Sequence, residues 1–532
     1  MRPEQLELGA DPGPSPAPEP PARPPTTEQR AAIEARDRDV LLEAGAGTGK
    51  TRVLVERYCE AAEESETGVD SILAFTFTER AAGELRHRIR DELRTRSERA
   101  TADGEDERAD RLRELARDTE RAWISTIHGF CRRVLAAHPV ALGLDPRFRV
   151  LDAAEADRVA AEAFDGALEE LLEDSDPERA NLVAAMRVGE LRRLVLTAYA
   201  ELRSQGREPR LPDPPQPDPV GAVRALIDAA KRACAETEGG AGHKARERLA
   251  SAAALNPERG LPTEAELAGL ELSSAARAFG GSACADYRQA WRRALTALVE
   301  SGAGTSFRHI AKLVELFDAH YRRLKRDRSG LDFEDLQLEA RRLLGEHAGV
   351  AEAYRDRFRH ILVDEFQDTN RLQLELVRLL RGPETRTFMV GDEFQSVYGF
   401  RHADIEVFRG ERDRIAALPD RQGEVMPLSG NFRSTEQVVA AVNALGGAIL
   451  DGFTPLTVGR DDQAAKPGAA APVELLLTPA GREWKDEELD IHLSGDYPSG
   501  PDRVAEARFL ADRLRRLVAD EDVEAGDIVV LI

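Results

Sequence analysis

Hydrophobic and polar positions follow a strand pattern and then a helix pattern in the first part of the chain. The apolar run Asp39–Glu43 ends in a glycine-rich turn, after which Leu54 and Tyr58 recur at the spacing of one helix face. A second apolar run at 71–76 passes in the same way into a segment with helical periodicity at 79–90. This alternation of strand and helix predicts a parallel α/β sheet.

From Asp152 onward the pattern becomes helical. Val159, Phe164 and Leu171 lie on one helical face, and Asp152 with Glu155 forms a plausible N-terminal cap. Strand-like runs return at 360–364 and continue to about residue 408. We therefore interpret 146–330 as a helical insertion, with exposed linkers at 209–219 and 239–242, into a first α/β domain made of 26–145 and 331–420.

A second α/β unit is predicted for 421–532, with its first strand near Met426. The apolar residues at 528–532 are expected to form another strand, with no helix after it to cover it. On this interpretation the second unit is incomplete. Residues 1–25 are rich in proline and lack a secretory signal pattern, so they are predicted to be a disordered tail.

Composition adds three expectations. The formal net charge of −23 runs against the basic surface usual in DNA-binding proteins, and only seven of the 74 basic residues are lysine. Such an acidic, lysine-poor chain resembles proteins of salt-loving organisms, which predicts a halophilic archaeal source. The four cysteines lack metal-ligand spacing, which fits a reducing cytoplasm, and no apolar run is long enough for a membrane span.

The turn after the first strand matches a phosphate-binding loop, with alanine in place of the first glycine. Its residues are Ala44, Gly45, Ala46, Gly47, Thr48, Gly49, Lys50 and Thr51. Glycines allow backbone N–H groups to converge on phosphates, Lys50 reaches the β and γ phosphates, and the Thr51 hydroxyl binds Mg²⁺. The alternative is a chance glycine-rich turn, but a strand before and a helix after it favour a nucleotide site.

A pair of carboxylates follows the apolar strand at 360–363. In P-loop enzymes the first carboxylate, here Asp364, holds Mg²⁺, and the second, here Glu365, orients or deprotonates the attacking water. A solvated acidic turn is the alternative in so acidic a chain. The segment 390–401, which brings an amide, aromatic rings and an arginine after another apolar strand, weighs against that alternative.

At these residues the chain resembles a known family. Segments 364–369, 391–392 and 395–398 resemble motifs II and III of the UvrD/Rep superfamily 1 DNA helicases. Residues 27–29 resemble the family's Q motif, 74–82 motif Ia, 125–131 its Thr-x-His-x-Phe element, and 428–434 motif IV. The segment 331–336 resembles the RecB/AddA branch. The resemblance implies RecA-like P-loop motor domains of α/β fold, the first interrupted by the insertion.

The resemblance also implies roles for individual residues. Gln29 would read adenine and Phe432 would stack on it, while Arg52 would support the phosphates. Gln395 would sense the γ-phosphate and Arg433 would act as an arginine finger. On DNA, Thr76, Thr78, Thr126 and His128 would bind phosphates, and Phe77, Tyr398, Phe400 and Arg401 would face the bases. Taken singly, the aromatic residues are as well explained by core packing, the threonines by caps and His128 by a structural role.

The expected function is that of an ATP- and Mg²⁺-dependent helicase or translocase in DNA repair or recombination. It would act 3′ to 5′ on single-stranded DNA and at single-strand/double-strand junctions. Because motifs V and VI are expected downstream, the isolated chain should bind Mg-ATP but hydrolyse it slowly, and a second polypeptide would carry the missing half. The alternative is a catalytically incomplete remnant or subunit that binds DNA or a partner helicase chain. An ABC- or SMC-type ATPase leaves motif III unexplained.

Overall fold

A computed structural model of the protein describes most of the chain. The described residues are 23–173, 176–213, 216–236, 243–272, 282–397, 399, 403–419, 422–459, 473–476, 501–520 and 523–531. The predicted tail at 1–25 lies outside them except for its last three residues, and the predicted linker at 239–242 lies wholly outside them.

The described residues form ten strands. They are β1 Asp39–Ala44, β2 Ile72–Thr76, β3 Trp123–Thr126, β4 Arg149–Val150, β5 Gly330–Leu331, β6 His360–Val363, β7 Arg386–Gly391, β8 Gly423–Leu428, β9 Gly430–Asn431 and β10 Thr457–Val458. Six of them form one sheet in the order β3-β2-β6-β7-β1-β8, and every neighbouring pair in it is parallel. Parallel neighbours require crossover connections, which here contain helices. The prediction of a parallel α/β sheet is confirmed.

Eighteen α-helices are described. They are α1 Thr27–Glu34, α2 Lys50–Glu64, α3 Glu79–Ala102, α4 Asp106–Asp118, α5 Ile127–Ala137, α6 Ala153–Leu172, α7 Pro177–Met186, α8 Val188–Ser204, α9 Pro219–Glu236, α10 His243–Ala253, α11 Glu264–Gly269, α12 Ser282–Asp327, α13 Phe333–Glu346, α14 Ala348–Arg357, α15 Arg371–Leu379, α16 Ile405–Ala416, α17 Glu436–Ile449 and α18 Pro501–Asp520.

Helices cover both faces of the six-stranded sheet. Val40 and Leu42 of β1 point into a core shared with α1 to α4, whereas Leu41 points into the opposite core, shared with α5 and α13 to α16. This division follows from the two-residue period of a strand. Because both faces are buried, the strands are nearly continuous apolar runs, as parallel sheets require. The arrangement leaves the carboxyl ends of the strands as the edge at which polar residues can gather.

The predicted helical stretch between Asp152 and residue 330 contains α6 to α12. At its base β4 pairs with β5, so the chain leaves and re-enters the sheet domain at one point. The 46-residue helix α12 is roughly 69 Å long. Its first part shares a core with α9, α10 and α11, and its later part shares another with α6 and α8.

A buried ion-pair network fixes the point where the chain re-enters the sheet domain. Lys325 Nζ of α12 lies 2.6 Å from carboxylate oxygens of both Asp332 and Asp335. Asp335 also pairs with Arg203 of α8. Asp332 is the N-cap of α13 and accepts a hydrogen bond from the Asp335 N–H. The start of α13 is therefore held by two helices of the insertion.

The position of β8 corrects the predicted boundary at residue 421. This strand was expected to begin the second α/β unit, but it pairs along its whole length with β1 of the first sheet. It is an edge strand, which explains how it accommodates Pro427, a residue without an N–H. Hydrophobic periodicity predicts that a strand forms but does not reveal which of two sheets it joins.

The predicted strand at 528–532 is also not found in the part of it that the structure describes. Residues 528–531 form no strand, and the side chains of Val529 and Leu531 are 79% and 91% exposed. A strand needs a neighbour for its hydrogen bonds, and no described residue pairs with this segment. Within the described residues, no helix combines the length and the apolar character that crossing a membrane would require.

Candidate functional site

The loop between β1 and α2 has the backbone conformation that a bound anion needs. Gly47 and Gly49 have φ angles of +76° and +87°, a region that L side chains avoid. Helix α2 begins at Lys50, so the first N–H groups of the helix face the loop without helical partners. Together these features form a helix N-terminus suited to phosphate.

The loop is held in place from two sides. The hydroxyl of Thr48 is buried and donates to the Gly45 carbonyl at 2.8 Å. From α1, Nε2 of Gln29 donates to the Thr48 carbonyl at 2.9 Å. The loop is therefore shaped before any ligand binds, which lowers the cost of binding one.

The carboxyl end of β6 brings the predicted carboxylates to the loop. Lys50 Nζ lies 3.1 Å from Oε2 of Glu365. Glu365 itself adopts φ +50° and ψ +46°, a left-handed conformation that costs a non-glycine residue about 1–3 kcal/mol. Such a conformation persists only where the surroundings impose it. The structure thus brings Lys50, Asp364 and Glu365 together as predicted.

Two carboxyl groups in this segment are perturbed. Burial, and then the charge of Glu365, raise the pKa of Asp364 to about 6. The same two causes raise the pKa of Asp368 to about 6. Oδ1 of Asp368 is buried and has no hydrogen-bond partner among the described residues. A bound cation would relieve this accumulation of buried negative charge.

The segment after β8 lies directly on the loop. The N–H of Phe432 donates to the Gly47 carbonyl at 2.8 Å, and Nδ2 of Asn431 donates to the Ala46 carbonyl at 2.7 Å. A Cβ added to Gly47 would lie only 2.7 Å from Cβ of Arg433. The predicted arginine finger therefore lies against the phosphate-binding loop, and Gly47 is required by close approach as well as by its φ angle.

The ring of Phe432 packs against backbone. A Cβ added to Gly459 would lie 2.4 Å from the ring, and one added to Gly430 would lie 3.3 Å from it. Glycine at both positions lets the ring lie flat between two stretches of chain. The ring is therefore held in a defined orientation next to the loop.

Gln29 makes two hydrogen bonds and retains the capacity for two more. Its Oε1 accepts from the Thr26 N–H at 3.1 Å, and its Nε2 donates to Thr48. A primary amide has a second N–H and a second oxygen lone pair. One donor and one acceptor are what the N7 and the 6-amino group of adenine require.

The remaining predicted nucleotide residues occupy different surroundings. Arg52 donates through Nε to Glu56 at 2.7 Å, so its guanidinium is paired along α2. Ala44 is buried, and Thr51 is partly buried in the first turn of α2. After β7, Nε2 of Gln395 donates to Oδ2 of Asp392 at 2.6 Å.

The predicted DNA-facing threonines lie together at the ends of β2 and β3. Thr76 is directly opposite Thr126 in the parallel pair. Thr78 caps α3 and Thr126 caps α5, each accepting a backbone N–H through its hydroxyl oxygen. The hydroxyl of Thr126 also donates to Glu79 at 2.6 Å, and that of Thr76 donates to the Thr78 carbonyl. Local capping therefore accounts for part of this pattern.

His128 lies beside these threonines, at the start of α5. Burial lowers the pKa of its imidazole, so the ring is uncharged at neutral pH. The amide nitrogen of Gln337 lies 3.0 Å from Nε2 of His128. The ring of Phe333 meets the imidazole edge to face, with 5.4 Å between ring centres. Phe77 follows Thr76 and is half-buried. The predicted DNA residues Tyr398, Phe400 and Arg401 lie outside the described residues.

Three residues of this site were not assigned from the sequence. Gln367 and Asn431 are buried and hydrogen-bonded to the segments around the loop, and Phe333 is 48% exposed beside His128. Their positions depend on contacts between distant parts of the chain, which no local pattern carries. An exposed aromatic residue at the first position of a helix was the one signal available for Phe333.

A phosphate-binding loop at the carboxyl edge of a parallel sheet, facing paired carboxylates on another strand, defines the class of P-loop nucleotide-binding proteins. The family model of the UvrD/REP helicase N-terminal domain matches residues 25–415, and the chain therefore belongs to this family. The resemblance on which the sequence interpretation rested is confirmed.

Curated relatives share one description, that of a subunit of an ATP-dependent helicase/nuclease. The chain is similar to the protein so described from Pelotomaculum thermopropionicum, with 32% identity over 90% of this chain and 42% of the relative. The corresponding proteins from Geobacillus thermodenitrificans and Moorella thermoacetica are 30% and 34% identical, over 94% and 85% of this chain and 43% and 37% of the relatives. The chain thus spans less than half the length of these relatives. These similarities give no support to the expected halophilic archaeal source.

Proposed function

We propose that this chain is the ATP-binding motor part of a DNA helicase or translocase. The observation that carries the proposal is the convergence of four segments at one edge of the sheet. The phosphate-binding loop, the end of β6, the segment after β7 and the segment 430–434 all meet around Lys50 and Glu365. Sites that hydrolyse nucleoside triphosphates need phosphate donors and carboxylates in this arrangement.

The residues present fit ATP and Mg²⁺. The left-handed glycines leave backbone N–H groups free to face phosphate, and the buried carboxyls of Asp364 and Asp368 favour a nearby cation. Thr51 and Asp364 would hold Mg²⁺, which would neutralise phosphate charge. Lys50 would leave Glu365 to bind the β and γ phosphates, and Glu365 would then accept the proton of the attacking water.

The other nucleotide contacts come from the loop's neighbours. Gln29 would use its remaining donor and acceptor on adenine, and the oriented ring of Phe432 would stack on the base. Arg433, which lies against Gly47, would stabilise charge that develops on the γ-phosphate, and Gln395 would contact the same group. Arg52 would have to leave Glu56 to support the phosphates.

Single-stranded DNA, including single strands at junctions with duplex, is the proposed second ligand. The ends of β2 and β3 place Thr76, Thr78, Thr126 and His128 along one surface, with Phe77 beside them. Stacking on Phe77, Phe333 and the predicted Tyr398 and Phe400 suits a motor that must accept every sequence. An uncharged His128 would donate a hydrogen bond to phosphate without adding charge.

The cellular role follows from the relatives and is also a proposal. Their name describes a helicase and nuclease subunit, so we infer that this chain serves DNA repair or recombination, moves 3′ to 5′ and works with at least one partner chain. The four cysteines are free thiols, which agrees with a reducing cytoplasm.

Two titrations test the proposed function. Fluorescent ATP analogue should bind the protein in a Mg²⁺-dependent manner, and fluorescein-labelled oligo(dT) should bind it with an affinity that changes when nucleotide is present. Absence of Mg²⁺-dependent nucleotide binding would contradict the ATP site. Binding of oligo(dT) without nucleotide binding would favour the alternative, a catalytically incomplete DNA-binding subunit.

A further inference from the structure

The side chain of Gln367 connects the nucleotide site to the segment after β7. It lies in the short turn Phe366–Asp368 that follows β6, and it is 2% exposed. Its Nε2 donates to Oε2 of Glu365 at 2.9 Å and to Oδ2 of Asp368 at 3.3 Å. Its Oε1 accepts the N–H of Asp392 at 3.1 Å. One amide thus contacts both acidic segments.

The chemistry of these partners fixes the orientation of the amide. Carboxylates only accept hydrogen bonds when ionised, and a backbone N–H only donates. The nitrogen of Gln367 must therefore face Glu365 and Asp368, and the oxygen must face Asp392. A side chain whose two ends have different obligatory partners cannot turn over without losing bonds at both ends.

The connections extend beyond Gln367 in both directions. On one side, Oε2 of Glu365 also receives Nζ of Lys50 at 3.1 Å. On the other, Oδ2 of Asp392 accepts Nε2 of Gln395 at 2.6 Å. A continuous series of side-chain contacts, which we call the Lys50–Gln395 relay, therefore runs from the phosphate-binding loop to the predicted γ-phosphate sensor through Gln367.

Packing leaves the relay little freedom. A Cβ added to Gly391 would lie 2.6 Å from Oε1 of Gln367, so the amide abuts the end of β7. The hydroxyl of Ser396 donates to the Gln367 carbonyl at 3.3 Å. Gln367 thus holds the segment 391–396 through its side chain and its main chain, and the predicted DNA residues follow directly after Ser396.

We propose that Gln367 is a positioning residue that couples nucleotide binding at the loop to DNA binding through the segment after β7. The inference rests on the proposed function. Once Lys50 turns to phosphate, Gln367 and Mg²⁺-bound groups are what is left to orient Glu365. Any displacement of Glu365 is then transmitted to Asp392 and Gln395, because packed hydrogen-bonded side chains move together.

The test measures coupling rather than either affinity alone. Anisotropy of fluorescein-labelled oligo(dT) gives the Kd of the full chain with and without Mg²⁺ and a non-hydrolysable ATP analogue, and the ratio of the two values is the coupling ratio. In the unsubstituted protein we expect a ratio on the order of 5- to 150-fold. Gln367→Met, which keeps the volume and removes the hydrogen bonds, should bring the ratio near one while each separate affinity changes by less than about threefold.

Two further variants keep the outcome decisive. Gln367→Glu keeps an acceptor for Asp392 but has no N–H for Glu365, so it should also reduce the coupling ratio, and it decides the matter if thermal melting shows Gln367→Met to be unfolded. Gln373→Met is the matched control. It removes an amide that caps α15 and lies outside the relay, so the ratio should be unchanged.

The possible failures are distinguishable. If the unsubstituted protein does not bind nucleotide or oligo(dT), or binds both without coupling, the proposed function fails. If it is coupled and the folded Gln367 variants are coupled equally, the positioning role is refuted. Equal losses in Gln367→Met and Gln373→Met would also refute it, because the effect would then report general destabilisation.

Discussion

Replacing Lys50 with alanine should separate nucleotide binding from folding. In the structure Lys50 pairs with Glu365 at 3.1 Å, and the two side chains are 12% and 38% exposed. A partly exposed ion pair contributes about 0–1 kcal/mol to stability, so the unfolding transition should change little. A charge-assisted hydrogen bond to phosphate is worth about 1.5–3 kcal/mol, so the Kd for nucleotide should rise roughly 10- to 150-fold.

The loss should exceed this range if the carboxylates repel the ligand. Without Lys50, no other lysine or arginine that a hydrogen bond or ion pair links to Glu365 is described, and Asp364 lies next to it. Titration of a fluorescent ATP analogue with Mg²⁺, alongside thermal unfolding without ligand, measures both quantities. Lys312→Ala on α12, which removes one exposed positive charge from another helix, is the control. An unchanged nucleotide affinity in Lys50→Ala would refute the assignment of the phosphate-binding loop.

Three further predictions follow. Phe77→Ala should weaken oligo(dT) binding by about 1–3 kcal/mol even in high salt, because stacking is not screened; a silent Phe77→Ala beside a damaging Arg80→Ala would contradict stacking. Burial lowers the pKa of His360 to about 4. Since the unfolded state takes up a proton below about pH 6.5, stability at pH 5.5 should fall by about 1.2 kcal/mol relative to neutral pH. Urea titration should show this fall in the native protein and not in His360→Gln. Gly47→Ala should weaken nucleotide binding, because its Cβ would lie 2.7 Å from Cβ of Arg433, whereas Gly83→Ala, with open space around it, should not.

The sheet domain could be predicted from the sequence because its signals are local. The apolar run of β1, the glycines after it and the helical spacing of Leu54 and Tyr58 all act within a few residues of one another. The paired carboxylates after β6 were predictable for the same reason, since a strand end projects its next residues from the sheet edge.

The rest depends on contacts between residues far apart in the chain. Pairing of β8 with β1 joins residues nearly 400 positions apart, and strand propensity does not specify a partner. The segment at 528–531 has the composition of a strand, but it forms none without a neighbour. Gln367 and Asn431 look like ordinary polar residues until the fold brings their partners to them.

The threonines of the predicted DNA surface illustrate a different limit. Thr78 and Thr126 were assigned to phosphate by resemblance, and both are helix caps in the structure. A capping hydroxyl accepts an N–H through its oxygen and can still donate its own hydrogen. For Thr78 the two roles are compatible, whereas the hydroxyl of Thr126 already donates to Glu79 and must release it to bind phosphate.

The central claim is that nucleotide bound at the loop controls the grip of this chain on single-stranded DNA. The most direct test is the Kd for fluorescein-labelled oligo(dT), measured on the unsubstituted protein and on Lys50→Ala, each with and without Mg²⁺ and a non-hydrolysable ATP analogue. The account predicts that nucleotide changes the Kd of the unsubstituted protein by at least about fivefold and leaves that of Lys50→Ala unchanged. The same Kd with and without saturating nucleotide in the unsubstituted protein would contradict it.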